Sequence, residues 1–503
     1  MLVSYYVDRL REEGLLVKAN FADDCEVSGV SYNSLKVEPG DIFVCKGVTF
    51  KPAYLEMAID KGAVAYVAEQ EYETAGINSI IVNDIRKAMA ALAIAHYGKP
   101  SDKMKVIGVT GTKGKTSTIY YIKAIIDDYE AAMGRKPAGL TSGIHNYDGV
   151  HTDVAELTTP EILDMYKYLD TAVNSGLDFF TLEASSQALK YDRINGVDFE
   201  VGVFINIGID HISPKEHPTY EDYLESKLRI FDHSRTAVYN MDCDNQDELR
   251  VAVSKVEKRL GYSQKDTSAN VYAYNQKSVL GKVSFDVAIR NAYDYPDCDF
   301  HVDLGPFGLI NISNALAAIA TCALLGIPVE YMQSGLNRVV VAGRMQIVTS
   351  SDGKRMGLVD YAHNELSFRV LFETIRQEFP GWKTIAVFGS SGAKALVRRK
   401  GLGEVAGQYA DYSIVTEEDH ATEPVMQVCE EIASHIEAVG GKYEIIPDRF
   451  EAVKRACEIM DEKTLVLVLG KGDETFLRRG NVTLQLPSDV DKLRVYLDHK
   501  EFE

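Results

Sequence analysis

Apolar positions along this chain fall into short, nearly continuous runs separated by longer amphipathic stretches. Ile42-Phe43-Val44, Ala65-Tyr66-Val67, Ser79-Ile80-Ile81-Val82 and Lys105-Val106-Ile107 read as strands covered on both faces. Helical stretches near 53–61 and 85–97 lie among them. Leu177-Asp178-Phe179-Phe180-Thr181-Leu182 and Val201-Gly202-Val203-Phe204-Ile205-Asn206-Ile207 continue the pattern, followed by shorter strand-like pieces over 236–310 and an alanine-rich helix at roughly 313–325. Beyond Val341 the rhythm of apolar strand and polar loop repeats at Gly357-Leu358-Val359, Thr384 to Phe388, Tyr412 to Val415 and Leu465 to Leu469. Strands alternating with helices predict an α/β protein built on parallel sheets. A chain of 503 residues exceeds one core. We expect three domains: a small mixed α/β domain over 1–102, closed by the polar linker Lys99 to Lys103; a central parallel-sheet domain over 103–340; and a Rossmann-like domain over 341–503.

One loop changes this from a fold reading to a chemical one. Gly108-Val109-Thr110-Gly111-Thr112-Lys113-Gly114-Lys115-Thr116 follows a strand and opens a helix at Ser117. In that context backbone N–H groups and a helix N-terminus hold phosphate, which makes the central domain P-loop ATPase-like. Lys115 would reach the terminal phosphates and the Thr116 hydroxyl a magnesium ion. Five residues rather than four separate Gly108 from Gly114, so the spacing departs from the strict motif.

Other polar residues end strands, where doubly wound sheets bind ligands. Glu183 ends one and can hold magnesium beside Thr116; Asp210 and His211 follow another, His211 being either a metal ligand or a structural histidine. Lys227 shares a helix face with Leu224, Leu228 and Phe231, where a lysine must snorkel, pair or lose its charge; carbamylation by carbon dioxide is one chemical escape, simple snorkelling the plainer one. Thr158-Thr159-Pro160-Glu161 predicts a helix start with Thr159 as N-cap and Pro160 at N1. In the third domain Asp360-Tyr361-Ala362-His363, Gly389 to Lys394 and Gly470-Lys471-Gly472-Asp473-Glu474 each follow a strand, and Arg398-Arg399-Lys400 and Glu417 to Glu423 form a basic and an acidic cluster.

The formal charge of −20 argues against nucleic-acid and anionic-membrane partners. No apolar run approaches the about 20 residues of a membrane span. Seven scattered cysteines without a C-x-x-C pair indicate neither zinc nor disulfides and fit a cytoplasmic chain with no signal peptide.

Taken in order, these motifs resemble the Mur ligase family, ATP-dependent amide-bond ligases of peptidoglycan precursor synthesis, and within it the branch that adds the third amino acid. The resemblance runs from Val30-Ser31-Tyr32-Asn33-Ser34 and Pro39-Gly40-Asp41-Ile42-Phe43 through the phosphate loop, Leu157 to Glu161, Glu183-Ala184-Ser185-Ser186, Asp210-His211, Lys227, Asn311, Gly343-Arg344-Met345 and Asp360 to Gly470-Lys471-Gly472. It implies an ATP and magnesium site at Gly111, Thr112, Lys113, Gly114, Lys115, Thr116 and Ser117, completed by Asn311, Arg344 and Asp360. Lys115, Glu183, His211 and Lys227 would be catalytic, with Thr116, Glu183, His211 and Lys227 around metal and Lys227 carried as N6-carboxylysine, its carbamate drawn from carbon dioxide. Ser34, Thr158, Thr159, Ser185 and Arg193 would bind a UDP-N-acetylmuramoyl dipeptide acceptor, and Glu418, Asp419, His420, Ala421, Gly470, Asp473 and Glu474 the incoming amino acid. The implied reaction passes through an acyl phosphate in a monomer acting on small molecules.

Three positions depart from the family pattern. Asn33-Ser34-Leu35 replaces Asp-Ser-Arg, Lys113 replaces asparagine, and Ala421 stands where diaminopimelate-adding members carry an arginine. An acidic loop without that arginine suits L-lysine or another basic amino acid. A folylpolyglutamate synthetase-like ligase, a non-catalytic nucleotide-binding relative and a small-molecule kinase are the competing readings.

Overall fold

The computed structural model describes the chain apart from residues 22, 48–49, 74–76, 210–211, 214–215, 393–395, 481, 501 and 503, and the side chains of Leu396 and Val397. It divides into two compact units. The first is Met1–Asn270 with Asn291–Pro296 and Ala317–Pro328; the second is Val271–Arg290, Asp297–Leu316 and Val329–Glu503.

The first unit holds two sheets. β1 (Leu16–Asn20), β2 (Gly29–Ser31), β3 (Asp41–Val44), β4 (Ala65–Ala68) and β5 (Asn78–Val82) pair in the order β1-β5-β4-β3-β2, parallel except for β1. Helices α1 (Val3–Glu12), α2 (Pro52–Asp60) and α3 (Ile85–Tyr97) flank it. Val3, Tyr6, Val7 and Leu10 bury one stripe of α1 at helical spacing. Residues 99–103 are more than a linker: Pro100 and Ser101 are buried in a 3₁₀ turn, and Ser101 Oγ accepts the Asp198 N–H.

The second sheet uses β6 (Lys105–Thr110), β7 (Gly139–Thr141), β8 (His145–Tyr147), β9 (Thr152–Val154), β10 (Phe179–Glu183), β11 (Phe199–Phe204), β12 (Ser234–Asn240) and β13 (Lys258–Ser263). Their order is β13-β12-β11-β6-β10-β7-β8-β9, parallel from β13 to β7 and antiparallel through β8 and β9. β6 lies between β10 and β11, with Glu183 opposite Val109 and Phe204 opposite Thr110, so three loops leave the same edge side by side. α4 (Lys115–Ala132) follows β6, α5 (Ile162–Asn174) precedes β10, α6 (Ser186–Lys190) follows β10 and α7 (Tyr220–Leu228) precedes β12. One continuous core, from Val3 to Val256, fills the space between both sheets and their helices.

α5 begins later than its sequence suggests. Glu161 is the N-cap and Ile162 the first helical residue, while the Thr159 hydroxyl donates to the Glu183 carbonyl (2.7 Å). A strand-end contact from the neighbouring chain segment outweighed a local cap.

In the second unit β14 (Val271–Val279), β15 (Lys282–Ile289) and β16 (Cys298–Leu304) form an antiparallel meander. β17 (Gln346–Thr349), β18 (Met356–Asp360), β19 (Lys383–Phe388), β20 (Tyr412–Val415), β21 (Tyr443–Ile445) and β22 (Thr464–Leu469) make a six-stranded sheet in the order β17-β18-β22-β19-β20-β21, parallel except for β17. Separate cores cover its two faces, one around Phe368, Phe372 and Phe388, the other around Val453, Val468 and Leu493. β23 (Phe476–Arg479) and β24 (Val482–Gln485) add a hairpin. The predicted α/β class with parallel sheets is therefore what the chain adopts.

Candidate active site

The phosphate loop owes its shape to two glycines. Gly114 has φ +83° just before α4, a conformation costly for any other residue. A Cβ on Gly111 would lie 2.3 Å from Ile205 Cγ1. Asn206, beyond β11, splints the loop: its Oδ1 accepts the N–H groups of Thr112 (2.9 Å) and Lys113 (3.0 Å), and its Nδ2 donates to the Lys113 carbonyl (2.8 Å). Sequence reasoning left Asn206 unassigned, although its place at a strand end was the available signal.

Two lysine amines meet at one oxygen. Lys115 Nζ and Lys227 Nζ each donate to the Gly111 carbonyl at 2.8 Å. Lys227 is 1% exposed, so it does not snorkel; its amine lies 4.5 Å from the centroid of the Tyr223 ring. Tyr223 in turn hydrogen-bonds Thr112 Oγ1 (3.1 Å). The fold thus gathers two lysine amines at one loop carbonyl.

Glu183 supplies the carboxylate beside it. Buried at the end of β10, its Oε1 accepts from Thr116 Oγ1 (2.8 Å) and from the Gly143 N–H (2.8 Å). A Cβ on Gly143 would fall within 4 Å of Glu183 Oε1, Thr158 Oγ1 and Thr116 Oγ1, so these groups converge on one spot. A hydroxyl and a carboxylate at the mouth of a phosphate loop are hard oxygen donors of the kind magnesium takes together with phosphate and water. Among the described residues no three His, Cys, Asp or Glu side chains form a ligand set. Asp210 and His211 lie outside the described residues.

A polar corridor runs from Glu183 toward the N-terminal sheet. Thr159 Oγ1 bonds the Glu183 carbonyl and Ser185 Oγ (3.1 Å), and Ser185 caps α6. Arg193 pairs with Glu161 Oε1 (3.1 Å) and donates to the Thr159 carbonyl. Lys46, unflagged by sequence reasoning, pairs with Glu161 Oε2 (2.6 Å) over the Tyr32 ring, while Tyr32 OH donates to Asp164. Burial and these carboxylates push the Tyr32 hydroxyl far above its ordinary range. A cleft of about 380 Å³ lies alongside, lined by Tyr32, Ser34, Phe43, Lys46, Phe50 and Tyr54. Aromatic walls with a lysine suit a planar ring bearing an anionic tail.

In the second unit, Asp360 Oδ2 accepts the Met345 N–H and Oδ1 the Ala362 N–H, both at 2.7 Å, and Arg344 stacks on Tyr361 (4.3 Å). Burial, with Glu474 adding to it, raises the Tyr361 hydroxyl to about 12. Asn311 turns inward, donating to the Phe307 carbonyl (2.6 Å) and accepting from Asn314. The strand-end loops meet at Lys471, which is buried and pairs with Asp419 (3.0 Å) and Glu474 (2.6 Å). Lys471 therefore offsets part of the acidic charge that the sequence places there. Glu418 accepts from Ser391 Oγ (2.8 Å), and burial raises its carboxyl. His420 Nδ1 donates to the Glu423 carbonyl, and Ala421 sits at φ +54° with its carbonyl accepting the Gly480 N–H. Gly343 and Gly470, both at positive φ, let loops close: a Cβ would lie 2.2 Å from Asp473 N and 2.5 Å from Glu418 Oε2 respectively. Arg399 is buried against Glu423 and Glu431, so that part of the basic cluster is structural. Lys394 lies outside the described residues.

Comparison with known proteins gives matching results. Residues 109–322 match the Mur ligase middle domain, and residues 343–472 the Mur ligase glutamate ligase domain. The UDP-N-acetylmuramoyl-L-alanyl-D-glutamate–L-lysine ligase of Enterococcus faecalis is 36% identical over 94% of this chain and 92% of its own length. The UDP-N-acetylmuramyl-tripeptide synthetase of Ligilactobacillus salivarius is 34% identical over 96% of both chains. Among solved structures, a UDP-N-acetylmuramoyl-L-alanyl-D-glutamate–2,6-diaminopimelate ligase superposes with a TM-score of 0.64 at 26% identity, covering 94% of this chain and 95% of its own. A folylpolyglutamate synthase from Mycobacterium tuberculosis shares the fold at 16% identity and a TM-score of 0.57, covering 76% of this chain and 91% of its own.

Proposed function

The chain belongs to the Mur ligase family, and from that membership we propose that it joins an amino acid, L-lysine by preference, to UDP-N-acetylmuramoyl-L-alanyl-D-glutamate with hydrolysis of ATP to ADP and phosphate. The observation that carries the reading is the pair of lysine amines on the Gly111 carbonyl beside the Thr116–Glu183 contact. That arrangement supports a polyphosphate site, and the polar contacts through Thr159, Ser185 and Arg193 support an acceptor running toward the aromatic cleft at Ser34.

The chemistry follows from charge. An acceptor carboxylate and a nucleoside triphosphate repel each other, and cationic groups held in place offset that repulsion in the transition state. Thr158, Thr159 and Arg193 orient the acceptor so that a carboxylate oxygen faces the γ-phosphorus. Lys115 stabilises charge on the transferring phosphoryl group. The carboxylate oxygen bonds to phosphorus, the bond to ADP breaks, and an acyl phosphate results. The amino-acid amine then attacks the carbonyl carbon, phosphate leaves, and the amine gives up a proton as the amide forms. Thr116 and Glu183, with His211, would hold magnesium, which would supply further charge neutralisation. Carbon dioxide taken up as a carbamate on Lys227 would turn its amine into a metal-binding anion.

Lysine is favoured over diaminopimelate by Ala421, which has no guanidinium for a distal carboxylate. The folylpolyglutamate reading is weaker, because that relative covers 76% of this chain and the diaminopimelate ligase 94%. The deciding experiment is phosphate release from ATP with the UDP-linked dipeptide and a panel of amino acids, products read by mass. Release that needs both acceptor and lysine, with a product heavier by one lysyl residue, supports the proposal. Release without any amine would indicate a kinase, and ATP binding without release a non-catalytic relative.

A further inference from the structure

His217 has no part in the reaction described above, yet it is fully buried beside it. Its Nε2 lies 2.9 Å from Ser186 Oγ and its Nδ1 2.6 Å from Asp222 Oδ2. Ser186 is the first residue of α6, directly after the Glu183-Ala184-Ser185 segment that carries the carboxylate and the corridor serine. Asp222 lies in the first turn of α7, the helix that carries Tyr223 and Lys227. The imidazole therefore joins the two helices on which the active-site groups ride. Its ring also packs edge-on against Tyr223 (5.1 Å), the residue that underlies the Lys227 amine and bonds Thr112.

Surrounding contacts fix the ring without offering it to a ligand. Lys190 pairs with the same Asp222 oxygen (2.6 Å), and Gln187 donates to Glu216 Oε1 (3.2 Å). Ser213 N–H donates to the His217 carbonyl (2.9 Å). Buried and trapped between Ser186 and Asp222, the side chain has the linkage of a hydrolase triad but no exposed face for a substrate. Burial lowers its proton affinity, with Asp222 opposing. In the neutral ring, assigned from its partners, Nδ1–H donates to Asp222 and Nε2 accepts from Ser186.

We propose that His217 is a positioning residue: through Ser186 and Asp222 it sets the distance between the Glu183 side and the Lys227 side of the phosphate loop. A constellation of this kind loses rate when its support loosens by about 1 Å, even where binding persists. The proposal rests on the ligase reading for its kinetic arm only; its exchange arm does not need turnover.

The test uses the full chain as parent, His217→Phe, Ser186→Ala, Ser186→Thr and the Ser186→Ala/His217→Phe double variant. His217→Phe keeps a ring against Tyr223 and removes both hydrogen bonds; Ser186→Ala removes one bond with little change in volume. We expect kcat to fall at least tenfold in His217→Phe and Ser186→Ala, with KM for the amino acid within twofold of the parent. The double variant should be no worse than the poorer single one, and Ser186→Thr should regain most of the rate. Hydrogen exchange should rise at residues 183–190 and 220–228 and stay unchanged in the sheet of the second unit. Two results overturn the proposal: variants with parental kcat and exchange, or losses that follow melting temperature and spread over the whole unit. If the parent itself shows no ligation, the functional reading fails, and the exchange pattern still decides whether His217 couples the two helices.

Discussion

At the residue scale the site is a set of charges placed against one another. Lys227 stands out because its buried amine shares the Gly111 carbonyl with that of Lys115 and lies over the Tyr223 ring. Lys227→Met should lower kcat by about 100-fold or more, the scale of removing one preorganised electrostatic group, while calorimetry still finds ADP bound. A carbamate on the native lysine should give a carbon-13 resonance after equilibration with labelled bicarbonate, and Lys227→Met should lack it. Ala421 offers a prediction about choice rather than rate. Ala421→Arg should raise kcat/KM for diaminopimelate relative to lysine, by about tenfold or more if the bidentate contact forms, measured by direct competition and product mass. The sequence exposed most of these groups because their chemistry is rare at strand ends. It did not expose Asn206 and Lys46: an amide and a lysine become informative only once their partners, the Thr112 amide and Glu161, are seen.

At the element scale, strands and loops do separate work. Buried apolar runs located β3, β4, β5, β19, β20 and β22 almost to the residue, since a strand hidden on both faces has little freedom of pattern, whereas the run at Lys105 to Ile107 marks only the first half of β6. α1 buries Val3, Tyr6, Val7 and Leu10 at helical spacing, a stripe that the polar residues between them mask in the sequence. The cap of α5 was misread because Thr159 has a better partner in the strand end at Glu183 than in its own helix. Below the loops at Glu418 and Gly470 lies a comparable long-range tie. Arg449, 2% exposed, bonds the Glu417 and Leu469 carbonyls and the Asp489 carboxylate. Burial alone would raise Asp489, but the charges of Arg449 and Lys492 outweigh it and hold it down to about 2. A carboxyl depressed on folding stabilises the protein above its unfolded value near 3.8, and that contribution disappears as pH falls through the folded value. The pair should therefore hold to about pH 4 and fail between there and pH 2. Asp489→Asn, which leaves the Arg449 charge buried, should cost about 3–5 kcal/mol in urea unfolding and remove that acid step.

At the scale of the whole molecule, the charge of −20 coexists with cationic points at Lys115, Lys227, Lys46 and Arg193. An anionic substrate is thus taken up by local geometry rather than by the field of the chain. Nucleotide binding should then appear as stability: Mg-ADP at 100 times its Kd should add about 2.7 kcal/mol, read as a rise in melting temperature that Lys115→Ala abolishes. The α/β class and the family were readable from the order of motifs. The convergence of two amines on one carbonyl was not, because 112 positions separate Lys115 from Lys227 in the chain and only the fold brings them together.

The adjacency of β6, β10 and β11 has one further consequence, for how the chain can change length. Each parallel strand acts as a counted ruler, its final residue delivering a group to the shared edge. One residue inserted inside β10 would move Glu183 about 3.3 Å along the strand and turn it to the opposite face. Insertions and deletions should therefore be tolerated at the tip of the exposed Lys265-Asp266-Thr267-Ser268 turn, and be lethal to turnover within any of the three strands. A scan of single-codon insertions, selected for ligation, would show silent gaps at β6, β10 and β11 and dense survival at that tip.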